Sequence, residues 1–454
     1  MRQVRWQMMR ALGAMLLGTM ALGARALTAQ APTPVKVETF TLPNGLTVHV
    51  VEDHSSQVVA VNVWYDVGSR NERPGRTGFA HLFEHMMFQG SANVKKAEHF
   101  QFIERAGGEM NGSTQPDRTN YYEALPSNRL NLALWLEADR MRSLAVTAEN
   151  LKNQQEAVKE ERRLRVDNQP YTGSFIEGMP ALFDRTACFA YAHSIIGSMD
   201  DLNAATVADV QAFFDLYYAP NNATLVVTGD VTPAVVRRLV TEYFGSIPCG
   251  ATAPSAVTCG EGGAAGRVER VTDKNATLPA VLSAVRTVPP SHADHPALEL
   301  LSTILGSGES SRLNRALVRE RRVAAGTQAL FNPFGPMRAA GIFGVLAIAN
   351  QGVTADSLAT TVADELSRAT TGITDAELTK AKNSWRASTI LGRQTALSLS
   401  EAVHYAALYL GSPSAVNTDA ARYEAVTVAD LQRVARTYLR PERALTIIIS
   451  PEAR

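Results

Sequence analysis

Cysteine is nearly absent: the 454-residue chain has three, at Cys188, Cys249 and Cys259. No Cys-x-x-Cys pair occurs, and no Cys–His arrangement suggests a thiolate metal site or a Cys nucleophile. A multi-disulfide scaffold is excluded. The one bridge expected is Cys249–Cys259, whose members sit close together in a Pro/Ala/Thr/Gly stretch, leaving Cys188 unpaired and buried. Excess charge is also missing, since 44 Lys and Arg balance 44 Asp and Glu. With no basic arm or acidic tail, nothing supports nucleic-acid binding. No Gly-x-Ser-x-Gly elbow offers a serine nucleophile. No apolar run beyond residue 23 is long enough to cross a bilayer, so no stable membrane anchor is expected.

The early apolar run, residues 11–23, follows Arg2, Arg5 and Arg10 and precedes Ala24-Arg-Ala26 and Leu27-Thr-Ala29. It reads as a cleavable signal peptide over 1–29, with no Cys after it to carry a lipid. A bacterial periplasmic or secreted location is the expectation.

What the chain does contain is His81-Leu-Phe-Glu84-His85, inside a stretch that runs from Thr77 to Gly90. The segment reads as a short helix, with Thr77 as the expected N-cap and Gly90 at the left-handed end position. Residues four apart share a helical face, so His81 and His85 can hold one Zn²⁺ between them. Glu84 borders that face and can take a proton from a metal-activated water. Two histidines on an amphipathic helix need no metal, but a Glu at this position completes the inverted zincin pattern His-x-x-Glu-His. A catalytic zinc takes three protein ligands, so one more is required, and a carboxylate fits.

Along the chain, residues 37–42 and 46–51 flank Asn44-Gly45 as a hairpin, and 58–67 reads as a buried strand. A helix over 98–106 ends at Gly107-Gly108. A strand pair follows, then helices over 128–141 and 148–166. An internal repeat is visible: Thr206-Val-Ala-Asp recurs as Thr427-Val-Ala-Asp, and Pro220 recurs as Pro441, at one offset (427 − 206 = 221; 441 − 220 = 221). Each copy leads from a helix into a buried strand. The organisation expected is α+β, two tandem homologous domains over 35–248 and 265–454, joined by a linker over 249–264. The second copy has no His-x-x-Glu-His. Its His292 and His295 read as a loop entering a helix, with nothing nearby to complete a site.

On the His81–His85 motif, with Gly-Phe-Ala before it and Met-Met-Phe-Gln-Gly after it, the sequence resembles the pitrilysin/insulinase family of zinc metallopeptidases. It is most similar to bacterial members and to the mitochondrial processing peptidase, and the resemblance spans essentially the whole mature chain. It implies tandem domains of α/β-sandwich type, one Zn²⁺ per chain, and hydrolysis of peptides or unfolded segments with Glu84 as general base. The third ligand is then Glu161, in the family register after His85 (161 − 85 = 76). Glu160 would point about 100° away around the helix and make a surface salt bridge.

The resemblance also implies that a peptide substrate adds as a strand along 107–115, contacting Asn111, Gly112 and Ser113. Taken alone, Asn111-Gly112 reads as a turn. Family members often hold substrate with an Arg and a Tyr seven apart; here Arg319 supplies the Arg, but Gly326 stands where Tyr is expected. In two-chain relatives, a paralogous subunit lacking the zinc motif supplies those groups. The implied assembly is such a heterodimer, with a homodimer as the alternative. The competing functions are a non-catalytic scaffold subunit and a peptide-binding module holding zinc structurally.

Overall fold

The structure is a computed structural model and describes residues 34–251, 259 and 266–452. The expected signal peptide and most of the expected linker lie outside the described residues. The first half builds one six-stranded sheet from β1 (Glu38–Thr41), β2 (Thr47–Glu52), β3 (Val58–Tyr65), β4 (Glu109–Thr114), β5 (Thr119–Pro126) and β6 (Ala223–Gly229), in the order β1-β2-β6-β3-β5-β4. The second half builds a five-stranded sheet from β7 (Arg267–Asp273), β8 (Ala280–Thr287), β9 (Ala324–Phe331), β10 (Gly341–Ala349) and β11 (Leu445–Pro451), in the order β7-β11-β8-β10-β9.

The two sheets repeat one pattern. β2 runs parallel to β6, and β7 parallel to β11, while the strands that follow in each sheet pair antiparallel. The helices Val207–Tyr217 and Val428–Tyr438 lead into β6 and β11, as the sequence repeat requires. Both start on the same device. Asp209 N–H donates to Thr206 Oγ1 while Thr206 N–H donates to Asp209 Oδ2, and Thr427 with Asp430 repeats the exchange. Such reciprocal bonds satisfy donors that a helix start leaves free.

Each half also covers the other's sheet. Seven of the eight residues of β3 are buried, on both faces. The second face is closed by the helix Ala396–Leu410 of the second half. There His404 stacks on Trp64 with ring centroids 4.6 Å apart and donates from Nε2 to Asn62 O at 3.0 Å. In return, residues 171–192 of the first half lie on the second sheet, where Met179, Phe183 and Tyr191 pack with Leu282, Ile342 and Ile447. A Cβ on Gly178 would stand 2.2 Å from Ile447 Cδ1, so a larger residue there would require that terminal methyl to turn away.

The disulfide corrects the sequence expectation. Cys188 bonds Cys259, Cα atoms 4.5 Å apart, and Cys249 is free and exposed. Cys188 rides on the segment that crosses to the second sheet. Nearness in sequence therefore did not decide the pairing.

Behind the first sheet lies a buried charged cluster that the sequence reading missed. His99 Nε2 is 3.3 Å from Glu123 Oε1, and Glu137 bonds Arg140, whose guanidinium also lies 3.5 Å from Glu123 and 4.4 Å from the Tyr121 ring centroid. Burial pushes the Glu123 carboxyl well above the usual carboxylate range, and Glu137 adds to the shift. The His/Glu/Glu spacing would suit a metal, but the Arg140 guanidinium already supplies the positive charge.

Candidate metal centre

The His-bearing helix is Phe79–Met86. Phe79, Ala80, Leu82, Phe83 and Met86 are buried in the first core, which turns His81, Glu84 and His85 to the other side. Thr77 does not cap it: the Thr77 hydroxyl donates to Asp201 Oδ2 at 2.5 Å. The N-cap is Gly78, left-handed at φ 80, and the free N–H groups of the first turn go to the buried carboxylate of Glu72. Gly78 N–H donates to Glu72 Oε2 at 2.8 Å, and Ala80 N–H to Oε1 at 2.7 Å. Burial pushes the Glu72 carboxyl well above the usual carboxylate range, while the bonds from Ala80, Gly78 and Phe79 N–H work against that rise. Gly78 must be glycine on a second count, since a Cβ there would meet Ile196 O at 2.5 Å. The helix ends at Met86, and Gly90, left-handed at φ 100, belongs to the turn beyond it rather than to the cap.

Glu72 thus fixes where the helix begins. Replacing Glu72 by Gln puts an amide N–H against one of these backbone donors. The expected outcome is a loss of about 1–3 kcal/mol of stability, read in thermal unfolding, with weakened metal retention.

Glu161 arrives on the helix Ala148–Arg162, which starts on Thr147, whose hydroxyl accepts from Asn150 N at 3.1 Å. Val158 on the same helix is fully buried and turns Glu161 toward the histidines. Glu161 Oε2 lies 3.5 Å from His81 Nε2 and 3.3 Å from His85 Nε2. Glu160 is exposed and pairs with Arg163 at 2.9 Å. Gln154, two helical turns back, also hydrogen-bonds His85. The other oxygen of Glu161 bonds Arg165 at 2.9 Å. Neither Gln154 nor Arg165 was singled out from sequence, although the i,i+4 spacing of Glu161 and Arg165 was a legible signal.

The electrostatics of the trio favour a cation. Burial, then the neighbouring His85, pulls His81 down to about 4, so its imidazole is neutral with a free lone pair. For His85, burial works downward, but the Glu161 and Glu84 carboxylates outweigh it and raise the pKa. The bond from His85 holds Glu161 below the usual carboxylate range against the opposing effect of burial. Two imidazole nitrogens and one carboxylate oxygen within 4.8 Å of one another form a donor set that fits zinc with a coordination position open.

Glu84 stands apart from the trio. Thr114 Oγ1 donates to its Oε2 at 2.6 Å, and burial raises its carboxyl while that bond works against the rise. Thr114 is on β4, the free edge of the first sheet, with Asn111, Gly112 and Ser113. All four line the same cavity of about 910 Å³ as His81, Glu84, His85 and Glu161. Gln115 N–H bonds Arg118 O at 2.9 Å, so 115/118 is a hydrogen-bonded pair. Alternation along the register then turns the backbone groups of Gly112 and Thr114 to the free edge. The Gly112 N–H is taken by Asn111 Oδ1 at 2.8 Å. Ser113 is held from behind by Asn120 and Arg118. Phe334, Met337 and Ile342 of the second half complete the cavity wall.

Arg319 is not brought to this site. It lies exposed on the π-helical turn Asn314–Glu320, away from the cavity lining, and Gly326 is on β9. In the second half, His295 is buried against Phe331 with ring centroids 4.9 Å apart, and no metal-type cluster forms around it among the described residues.

Two repeated half-sheets, with an inverted His-x-x-Glu-His helix and a facing Glu in one half only, define a two-half metallopeptidase class. Comparison with known proteins makes the family explicit. Residues 47–173 match the model described as Insulinase (Peptidase family M16), and 204–384 match Peptidase M16 inactive domain. The zinc protease PqqE of Helicobacter pylori is 33% identical over 429 residues, covering 92% of this chain and 93% of that protein. A probable mitochondrial-processing peptidase subunit beta of Arabidopsis thaliana is 25% identical over 409 residues, covering 88% of this chain and 75% of that protein. The crystal structure of a protease from Helicobacter pylori superposes with a TM-score of 0.85 at 29% identity, covering 92% of this chain and all of that one. The chain belongs to the insulinase family of peptidases, family M16.

Proposed function

We propose that this chain is a zinc-dependent endopeptidase that hydrolyses peptides or unfolded segments in the bacterial periplasm, holding one zinc through His81, His85 and Glu161. The observation that carries the reading is the convergence of Glu161 Oε2 on both imidazole nitrogens, with Glu84 outside that trio but in the same cavity, beside a free strand edge. Zinc bound there would polarise the scissile carbonyl and acidify a water. Glu84 receives the proton from the attacking water and returns it to the departing amine nitrogen. Thr114 anchors one oxygen of Glu84, leaving the other free for that transfer. The edge of β4 pairs with the peptide backbone, which orients the scissile bond without reading side chains. A structural zinc would take four protein ligands, and the described residues offer three here.

The family description of an inactive domain falls on 204–384, whereas His81, Glu84, His85 and Glu161 all fall in 47–173. That division supports catalysis by the first half over the scaffold-subunit reading. The periplasmic or secreted location rests on the leader at 1–29, and a Cys188–Cys259 disulfide suits an oxidising compartment. The exposed position of Arg319, away from its own chain's cavity, supports an assembly in which a second chain completes the site: a paralogue without the zinc motif, or a second copy.

The test is zinc content, peptide turnover and mass of the active species, measured on the same preparations with and without a paralogous partner. Glu161→Gln is expected to lower zinc affinity by at least tenfold, the scale of losing even a supporting partner of a ligand, while Glu160→Gln leaves it unchanged. Loss of zinc in Glu160→Gln alone would overturn the ligand assignment. Full turnover by a monomer, unchanged by added partner, would overturn the two-chain reading and leave the zinc site intact.

A further inference from the structure

Arg165 stands at the reaction centre with most of its hydrogen-bonding capacity unused. It sits on the π-helical turn Arg163–Asp167, one turn past Glu161, and its side chain is 77% exposed. Among the described residues lining the cavity it is the only Lys or Arg. Among the described residues its one bond is to Glu161 Oε1 at 2.9 Å. A guanidinium carries five N–H donors in a planar fork, and the rest of the fork has no partner among the described residues.

Charge bookkeeping makes the group more conspicuous. The two positive charges of a bound zinc meet the carboxylates of Glu161 and Glu84. The remaining acidic lining residue, Glu160, is matched by Arg163 at 2.9 Å. Arg165 then shares its counter-charge, the Glu161 carboxylate, with the metal. Leu164, Val166, Ile176 and Phe334 also line the cavity, and their side chains carry no acceptor. Arg165 is exposed, and its ion pair reaches back only one turn along the chain, to Glu161.

We propose that Arg165 determines specificity by binding a carboxylate of the peptide next to the scissile bond. The carboxylate can be an acidic side chain or a free C-terminus, since both present the same two oxygens to the fork. This rests on the peptidase reading above.

The experiment uses the zinc-loaded full chain and four peptides of one apolar sequence. Each carries Glu or Gln within two residues of the cleavage position, and each ends in an acid or an amide. Turnover is measured with wild type, Arg165→Ala and Arg165→Glu. Binding of the same peptides is measured to Glu84→Gln, alone and combined with each Arg165 variant. The expected result is a preference of about five- to tenfold for a carboxylate peptide, the scale of one charge-assisted pair. It appears in KM and in binding rather than in kcat. Arg165→Ala abolishes the preference, and Arg165→Glu reverses it toward the amidated Gln peptide, with zinc content unchanged in both. A preference that follows the Glu peptide when both ends are amidated assigns the side chain; one that follows the free acid end assigns the C-terminus.

An equal loss on all four peptides, or a loss of zinc, would overturn the proposal and make Arg165 a prop for Glu161. No preference in wild type would overturn it as well. Should wild type cleave none of the peptides, the peptidase reading fails, and the binding arm still decides the role of Arg165.

Discussion

Glu84→Gln is expected to cut peptide turnover by about 10²–10⁴-fold, the range of one general acid–base group, while zinc content stays at the wild-type level. The geometry separates the two effects. Glu84 bonds Thr114, whereas Glu161 faces the two imidazoles. A glutamine keeps the shape and can still accept from Thr114, so β4 stays in place against the helix. It cannot accept a proton from water or deliver one to nitrogen. Turnover and metal analysis on one preparation check this. A metal-free Glu84→Gln protein would mean that Glu84 supports the metal, and the division of roles would fall.

Arg140→Leu is expected to be the most damaging substitution for stability outside the metal centre. Glu123 and Glu137 have fully buried side chains, and Arg140 is the cation between them. Removing one partner of a buried ion pair costs about 3–5 kcal/mol, because the remaining charge has neither water nor a counter-ion. Arg140→Leu should therefore lower the urea midpoint sharply. Adding Glu137→Leu to it should recover much of the loss, since the uncompensated carboxylate goes too. Additive losses in the double variant would show that packing on the Tyr121 and Phe88 rings, rather than charge, gives Arg140 its importance.

The helix and strand pattern was largely legible. The hairpin around Asn44-Gly45 pairs Thr41 with Thr47, as the turn signal demanded. The helix after Thr147 and the repeated Thr-capped helices sit where periodicity put them. Local signals of this kind are carried by residues within one or two turns of each other, so they survive in the sequence. The cap of the His-bearing helix was misread for the same reason. Thr77 is the nearest polar side chain, but Glu72 reaches the first-turn N–H groups across a loop. The disulfide went wrong in the same way, because Cys188 meets Cys259 across a separation of 71 residues.

What the sequence by itself determined is chemistry with a short period: two histidines one helical turn apart, a glutamate beside the second, and two copies of one α+β pattern of which only the first carries them. Helical geometry ties residues four apart to one face whatever surrounds them, so no tertiary information was needed. Only the tertiary structure decided what lies far apart in the chain and close in space. It selected which oxygen of Glu161 faces the imidazoles and left Arg319 outside the cavity. It laid residues 171–192 on the second sheet and the helix Ala396–Leu410 on the first. Those placements follow from burying the open apolar face of each sheet, and a long-range packing choice of that kind leaves no periodic trace in the residues that make it.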